Sequence, residues 1–80
     1  MRVRLLFFAQ CAEWAGKRAL AVPLSGSTTV RRLVQSVEAL EELRKHARTI
    51  QVGVNCVYAG WDTQVRDGDE IAFLPPVSGG

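Results

Sequence analysis

Residues 2–9 alternate, with Arg2 and Arg4 on one side and Val3, Leu5 and Phe7 on the other. A period of two is the mark of a strand with one buried face. Leu6 and Phe8 place apolar residues on the polar side, so the far face of this strand turns apolar towards its end. Residues 10–15 have room for one helical turn, and Gly16 is placed to end it in a left-handed conformation. Alternation resumes over residues 18–24, where Leu20, Val22 and Leu24 share a face, and Ser25, Gly26, Ser27 and Thr28 make a turn.

The period then lengthens. Val30, Leu33, Val34, Val37, Leu40 and Leu43 recur at helical spacing, with mostly charged or polar residues between them. Thr28 or Thr29 is a candidate N-cap. Glu41 and Lys45 are spaced to pair one turn apart, and Arg44, Lys45 and Arg48 suit a C-terminal turn. The pattern predicts a helix to about His46, with a break before its end as an option. Residues 49–57 return to strand, with Ile50, Val52 and Val54 on one face and Asn55 suited to a tight turn. Residues 61–65 are less regular. Asp67-Gly68 signals a turn into a last strand, in which Ile71 and Phe73 face the core while Ala72 and Leu74 face out.

The order is strand, strand, helix, strands, strand. The first two strands can pair as neighbours, the helix can cross one face, and the last strand can return beside the first in the middle of the sheet. The expected class is α+β, a mixed sheet with one main helix across one face. This is the β-grasp arrangement of ubiquitin-like proteins. It would occupy residues 1–74 and leave residues 75–80 as a tail. The face opposite the helix need not be covered, and Leu6, Phe8, Ala72 and Leu74 would share it near the tail. Exposed apolar surface of this kind marks a binding site, although Phe8 and Leu74 could equally lie under a loop.

Composition narrows the function classes. The 80 residues are 48% hydrophobic and 22% charged, with ten Lys and Arg against eight Asp and Glu. A net charge of +2, dispersed along the chain, is too little for a nucleic-acid surface. No apolar stretch approaches the ~20 residues of a membrane span, and the N-terminal apolar run is too short for a secretory signal. A cytoplasmic location is expected, with Cys11 and Cys56 as reduced thiols and small semi-buried hydrophobes. Their spacing with the single His46 makes no zinc or redox motif. His46 reads as a solvated helix-end residue. Asp67, Asp69 and Glu70 read as turn chemistry, because calcium-ligand spacing is absent.

The tail carries the chemistry. Pro75 and Pro76 cannot donate to a ladder and stop the last strand. Val77, Ser78, Gly79 and Gly80 follow, and only Val77 offers a group that could anchor to the domain. The expectation is a slender free arm with the α-carboxylate at its tip. Two glycines without Cβ atoms can thread a channel too narrow for other residues. A carboxylate becomes a substrate for sulfur or an amine once it is activated as an acyl-adenylate. A frayed terminus has the same composition, so the tail alone does not choose between these.

The chain as a whole resembles the family of molybdopterin synthase small subunits. The resemblance is carried by Val3-Arg4-Leu5-Leu6-Phe7-Phe8-Ala9, Thr29-Val30, Val54-Asn55, Asp67-Gly68-Asp69-Glu70-Ile71-Ala72-Phe73 and the ending Leu74-Pro75-Pro76-Val77-Ser78-Gly79-Gly80. It implies a non-catalytic sulfur donor with no acid or base of its own. Gly80 would be adenylated and converted to a thiocarboxylate, and Gly79 would give the tail clearance. Leu6, Phe8, Leu74, Pro75, Pro76, Val77 and Ser78 would meet partners. Those partners would be the large synthase subunit, a ubiquitin-activating-like adenylyltransferase and a sulfur-donating enzyme. The sulfur would pass to cyclic pyranopterin monophosphate in molybdenum cofactor biosynthesis. No cofactor or metal is expected on this chain; ATP and Mg would be used by the activating enzyme. Two other readings stay open: a protein modifier joined to lysine through Gly80, and a sulfur carrier for thiamine or tRNA thiolation. A plain interaction domain with an inert tail is the third.

Overall fold

The computed structural model describes residues 1–76. Strand β1 (Arg2–Phe7) buries Val3, Leu5 and Phe7 and leaves Arg2 and Arg4 in solvent. It is two residues shorter than its alternation suggests, because the chain turns at Ala9. The Phe8 N–H still donates to the Phe73 carbonyl at 3.1 Å, and the Cys11 N–H then closes back onto the Phe8 carbonyl at 2.9 Å. Ala9 sits at φ 48°, ψ −124°. This is a type II′ turn with alanine where glycine is usual, a strain of about 1–3 kcal/mol.

Helix α1 (Gln10–Ala15) follows and ends as expected, with Gly16 at φ 76° and its N–H on the Ala12 carbonyl. Strand β2 (Ala19–Pro23) then runs antiparallel to β1. A two-residue strand β3 (Thr28–Thr29) leads into helix α2 (Val30–Ser36). The Thr29 side-chain oxygen accepts the Arg32 N–H at 3.2 Å and caps that helix.

The helix does not continue to His46. Val37 is extended at φ −99°, ψ 107°, a 3-10 turn spans Glu38–Leu40, and helix α3 (Glu41–Lys45) is separate. The apolar spacing survives the break because Leu40 and Leu43 still reach the core beside Val30, Leu33 and Val34. Arg44 holds the joint: its Nη1 donates to the carbonyls of Val34 at 3.0 Å and Val37 at 2.8 Å. Each carbonyl also accepts a backbone N–H three residues on, Val34 from Val37 at 3.4 Å and Val37 from Leu40 at 3.0 Å. The guanidinium adds a second bond where the regular helical partner is missing. The expected Glu41–Lys45 pair is absent. Those residues are the two ends of a five-residue helix, and Lys45 Nζ instead lies 3.3 Å from Glu42 Oε1. His46 is half-buried rather than solvated, stacked on Trp14 with ring centroids 3.8 Å apart.

After a second 3-10 turn (Ala47–Thr49) comes strand β4 (Gln51–Val54). The expected strand over residues 49–57 stops at Val54, where Asn55 at φ 51° and Cys56 at φ 70° form a two-residue hairpin turn. Two consecutive left-handed residues match the twist of paired strands, and strand β5 (Val57–Ala59) runs back along β4. Strand β6 (Gln64–Val65) pairs with β3 in a small second sheet.

Strand β7 (Glu70–Leu74) completes the main sheet in the order β2-β1-β7-β4-β5. It is parallel to β1 and antiparallel to β4. The helical segments cover one face, and their Leu33, Leu40 and Leu43 share a core with Leu5, Phe7, Ile71 and Phe73 of the sheet. Phe7 and Phe73 stack at 5.4 Å, and Trp61 tilts onto Phe73 at 5.9 Å. This is the β-grasp fold.

Candidate functional site

The pairing registers place one row of outward residues across all five strands of the main sheet. Ala19 lies opposite Leu6, Leu6 beside Ala72, Ala72 opposite Gly53, and Gly53 opposite Tyr58. The next row towards the tail holds Phe8, Leu74 and Gln51, and the row away from it holds Arg4 and Glu70. No helix crosses this side. Phe8 is 46% exposed and Tyr58 78%. Leu6, Ala72, Leu74 and Pro75 are half-buried, and Pro76 is exposed.

Leu6, Phe8 and Leu74 therefore come together as expected, opposite the buried Leu5, Phe7, Ile71 and Phe73. Phe8 reaches this face although it lies past the end of β1. The Phe8–Phe73 bond prolongs the β1–β7 pairing by one step, and the strained turn at Ala9 then takes the chain away. Tyr58 is a member that the sequence pattern did not yield, because the expected strand runs on to Val57 and leaves Tyr58 in no element. The signal was present in Asn55, whose left-handed preference allows a hairpin with the return strand Val57–Ala59. Val77, Ser78, Gly79 and Gly80 lie outside the described residues.

Among the described residues, two depressions border Leu6, Phe8 and Leu74. One, of ≈ 660 Å³, lies between Leu6, Phe8, Ala12 and Lys17. The other, of ≈ 240 Å³, is bounded by Gly53, Tyr58, Ala72 and Leu74, with Cys56 at its rim.

Of the titratable groups, Arg4, Glu70, Lys17, Tyr58 and Cys56 border this face, while the acidic turn after β6 is held by hydrogen bonds. Asp69 accepts the Arg66 N–H at 2.8 Å and the Asn55 side-chain amide at 3.0 Å, and Asp67 accepts the Arg2 N–H at 2.9 Å. The Arg66–Asp69 bond is the turn chemistry expected for the acidic cluster, whereas the other two tie the turn to the β4–β5 hairpin and to β1. Among the described residues no three His, Cys, Asp or Glu group as metal ligands. Cys11 is fully buried and burial pushes its thiol up to about 11, so it stays protonated at neutral pH. Cys56, expected to be semi-buried, is exposed because the hairpin turn carries it to the surface. The hydrogen bond and charge of Lys45 hold the Glu42 carboxyl below its ordinary range, and Arg31 does the same for Asp62. The described side chains at the root of the tail thus form a partly exposed, mainly apolar surface.

Known proteins of this shape and sequence agree with that description. Residues 5–80 match the ThiS family. The molybdopterin synthase sulfur carrier subunit of Escherichia coli is 36% identical over 98% of this chain and 99% of its own length. That of Mycobacterium tuberculosis is 33% identical over 100% and 99%. The crystal structure of SAMP1 from Haloferax volcanii superposes with a TM-score of 0.82 at 32% identity, covering 100% of both chains. No helix among the described residues is long and apolar enough to cross a membrane. The chain belongs to the ThiS family, and within it to the molybdopterin synthase sulfur carrier subunits.

Proposed function

We propose that this chain is the sulfur-carrying small subunit of a cytoplasmic molybdopterin synthase. The observation that carries the reading is the position of the tail. The central strand β7 ends at Leu74 on an uncovered apolar face, and Pro75-Pro76-Val77-Ser78-Gly79-Gly80 continues from that point. Full-length likeness to sulfur carrier subunits supports it.

In this reading a ubiquitin-activating-like enzyme docks on Leu6, Phe8, Tyr58 and Leu74. The Gly80 carboxylate attacks the α-phosphorus of Mg-bound ATP, and pyrophosphate leaves. Hydrosulfide supplied by a donor enzyme then attacks the acyl carbon of the adenylate, AMP leaves, and a thiocarboxylate remains. The large synthase subunit next covers the same face, and Gly79 lets the tail thread its channel. Sulfur passes to cyclic pyranopterin monophosphate, towards the dithiolene of molybdopterin. The chain's own share is to bind, to position and to carry. The buried, protonated Cys11 is no rival nucleophile to the tail.

The likeness to SAMP1, a small archaeal modifier protein, supports a second reading, in which an amine rather than sulfur attacks the adenylate and Gly80 ends on a target lysine. The mass of the intact protein from its native host separates the two. One sulfur in place of one oxygen at Gly80 is the expected result. A lysine conjugate without thiocarboxylate would establish the modifier, and an unmodified chain in cells making molybdopterin would refute both.

A further inference from the structure

Gly53 stands in the middle of β4, and the fold gives it no reason to be glycine. Its backbone is not left-handed. A Cβ placed there would meet nothing closer than the Val57 carbonyl oxygen at 3.6 Å and the Ala72 Cβ at 3.9 Å, both ordinary contacts. Nothing else comes within 4 Å, so the ring of Tyr58, its cross-strand partner, does not lie over it. A strand-interior glycine loses backbone entropy and packs nothing, and it marks a place where another group approaches closely.

What the missing side chain leaves is the ≈ 240 Å³ depression, floored by Gly53 and Ala72 and walled by Tyr58 and Leu74. Leu74 is the last residue of β7. Six residues beyond it reach at most ~20 Å when extended, so a protein that takes Gly80 into its active site must lie against this end of the sheet. We propose that the Gly53–Ala72 trough is a receptor for one protruding aliphatic or aromatic side chain of the large synthase subunit, and that Gly53 is retained to keep it open. This rests on the sulfur-carrier reading above. An apolar anchor filling a pocket between an exposed aromatic wall and a half-buried aliphatic one is the arrangement of an interface hot spot.

The test compares wild type, Gly53→Ala and Gly53→Leu in denaturant unfolding and in calorimetric titration with the purified large subunit. Both variants are expected to unfold at an equal or higher denaturant midpoint than wild type. Affinity is expected to fall modestly for Gly53→Ala and at least tenfold for Gly53→Leu. Wild-type binding with unchanged affinity in Gly53→Leu would overturn the trough and leave the carrier reading standing. So would a fall in midpoint for Gly53→Ala, since glycine would then be needed by the fold. A concentration-dependent dimer abolished by Gly53→Leu, with large-subunit affinity intact, would assign the trough to a second copy and also overturn the proposal. Failure of the wild type itself to bind the large subunit would sink the carrier reading together with the trough.

Discussion

Phe7 and Phe8 are adjacent in sequence and opposite in role, and truncating each to alanine separates the core from the docking face. Phe7 is 3% exposed and stacks on Phe73 at 5.4 Å. Removing its ring from the core costs about 3–5 kcal/mol, and an 80-residue domain holds only about 4–12 kcal/mol in all. At about 4–8 °C per kcal/mol, Tm of Phe7→Ala should fall by at least ~12 °C. Phe8 is 46% exposed. A fully buried Phe side chain contributes about 1.5–3 kcal/mol, so roughly half of that, about 1–1.5 kcal/mol, is lost from the fold in Phe8→Ala. Its larger effect should appear in binding, where a truncated hot-spot aromatic costs about 2 kcal/mol or more, some 30-fold in Kd. Unfolding followed by tryptophan fluorescence, in which Trp61 reports from its place against Phe73, gives the first quantity. Titration with the large subunit gives the second. If Phe8→Ala unfolds the domain while Phe7→Ala only weakens binding, the faces of β1 are reversed and the docking argument collapses.

Gly79→Val should fold with an unchanged midpoint yet lose sulfur transfer when loaded carrier is mixed with the large subunit, because a branched Cβ obstructs threading; normal turnover would remove the steric argument. Arg44→Met removes the guanidinium bonds to the Val34 and Val37 carbonyls and leaves them only the N–H groups of Val37 and Leu40. Losing two side-chain hydrogen bonds should cost about 1–3 kcal/mol in all in denaturant unfolding, and an unchanged midpoint would mean that water replaces the guanidinium there. Burial raises the Cys11 pKa from 9.0 to about 11, so the unfolded chain ionises first and its contribution, complete below pH 9, should be lost as pH rises towards 11. The loss is about 2–3 kcal/mol at 1.36 kcal/mol per pKa unit, read as the difference between wild-type and Cys11→Ala midpoints against pH; parallel profiles would contradict it.

The sheet was legible because its strands obey simple patterning. The alternation of Val3, Leu5 and Phe7 and of Ile71 and Phe73 names the buried face, and its complement in Leu6, Phe8 and Leu74 names the docking face. The break at Val37 was concealed because Leu40 and Leu43 keep helical spacing through a 3-10 turn, and no glycine or proline marks the joint. The device that stabilises it is a long-range bond from Arg44, which no local pattern encodes. Tyr58 was hidden by its turn. Asn55 is a familiar left-handed residue, but Cys56 at φ 70° is not, so the hairpin carries only half its usual signature. Gly53 looked like an ordinary polar-side position, and its meaning emerges only from the space above it.

The parallel pairing of β1 with β7 has a consequence for how the molecule comes into being. During synthesis β1 emerges first and finds β2 at once, but its other edge stays open until the strand at the far end of the chain has been made. Contacts of such high sequence separation form late, because closing the intervening loop is entropically costly. The docking face is assembled from both ends, Leu6 and Phe8 from one strand and Ala72 and Leu74 from the other. No product that stops short of β7 can display it. Any partner that recognises this surface would thereby meet only chains in which β7 has already been made and paired.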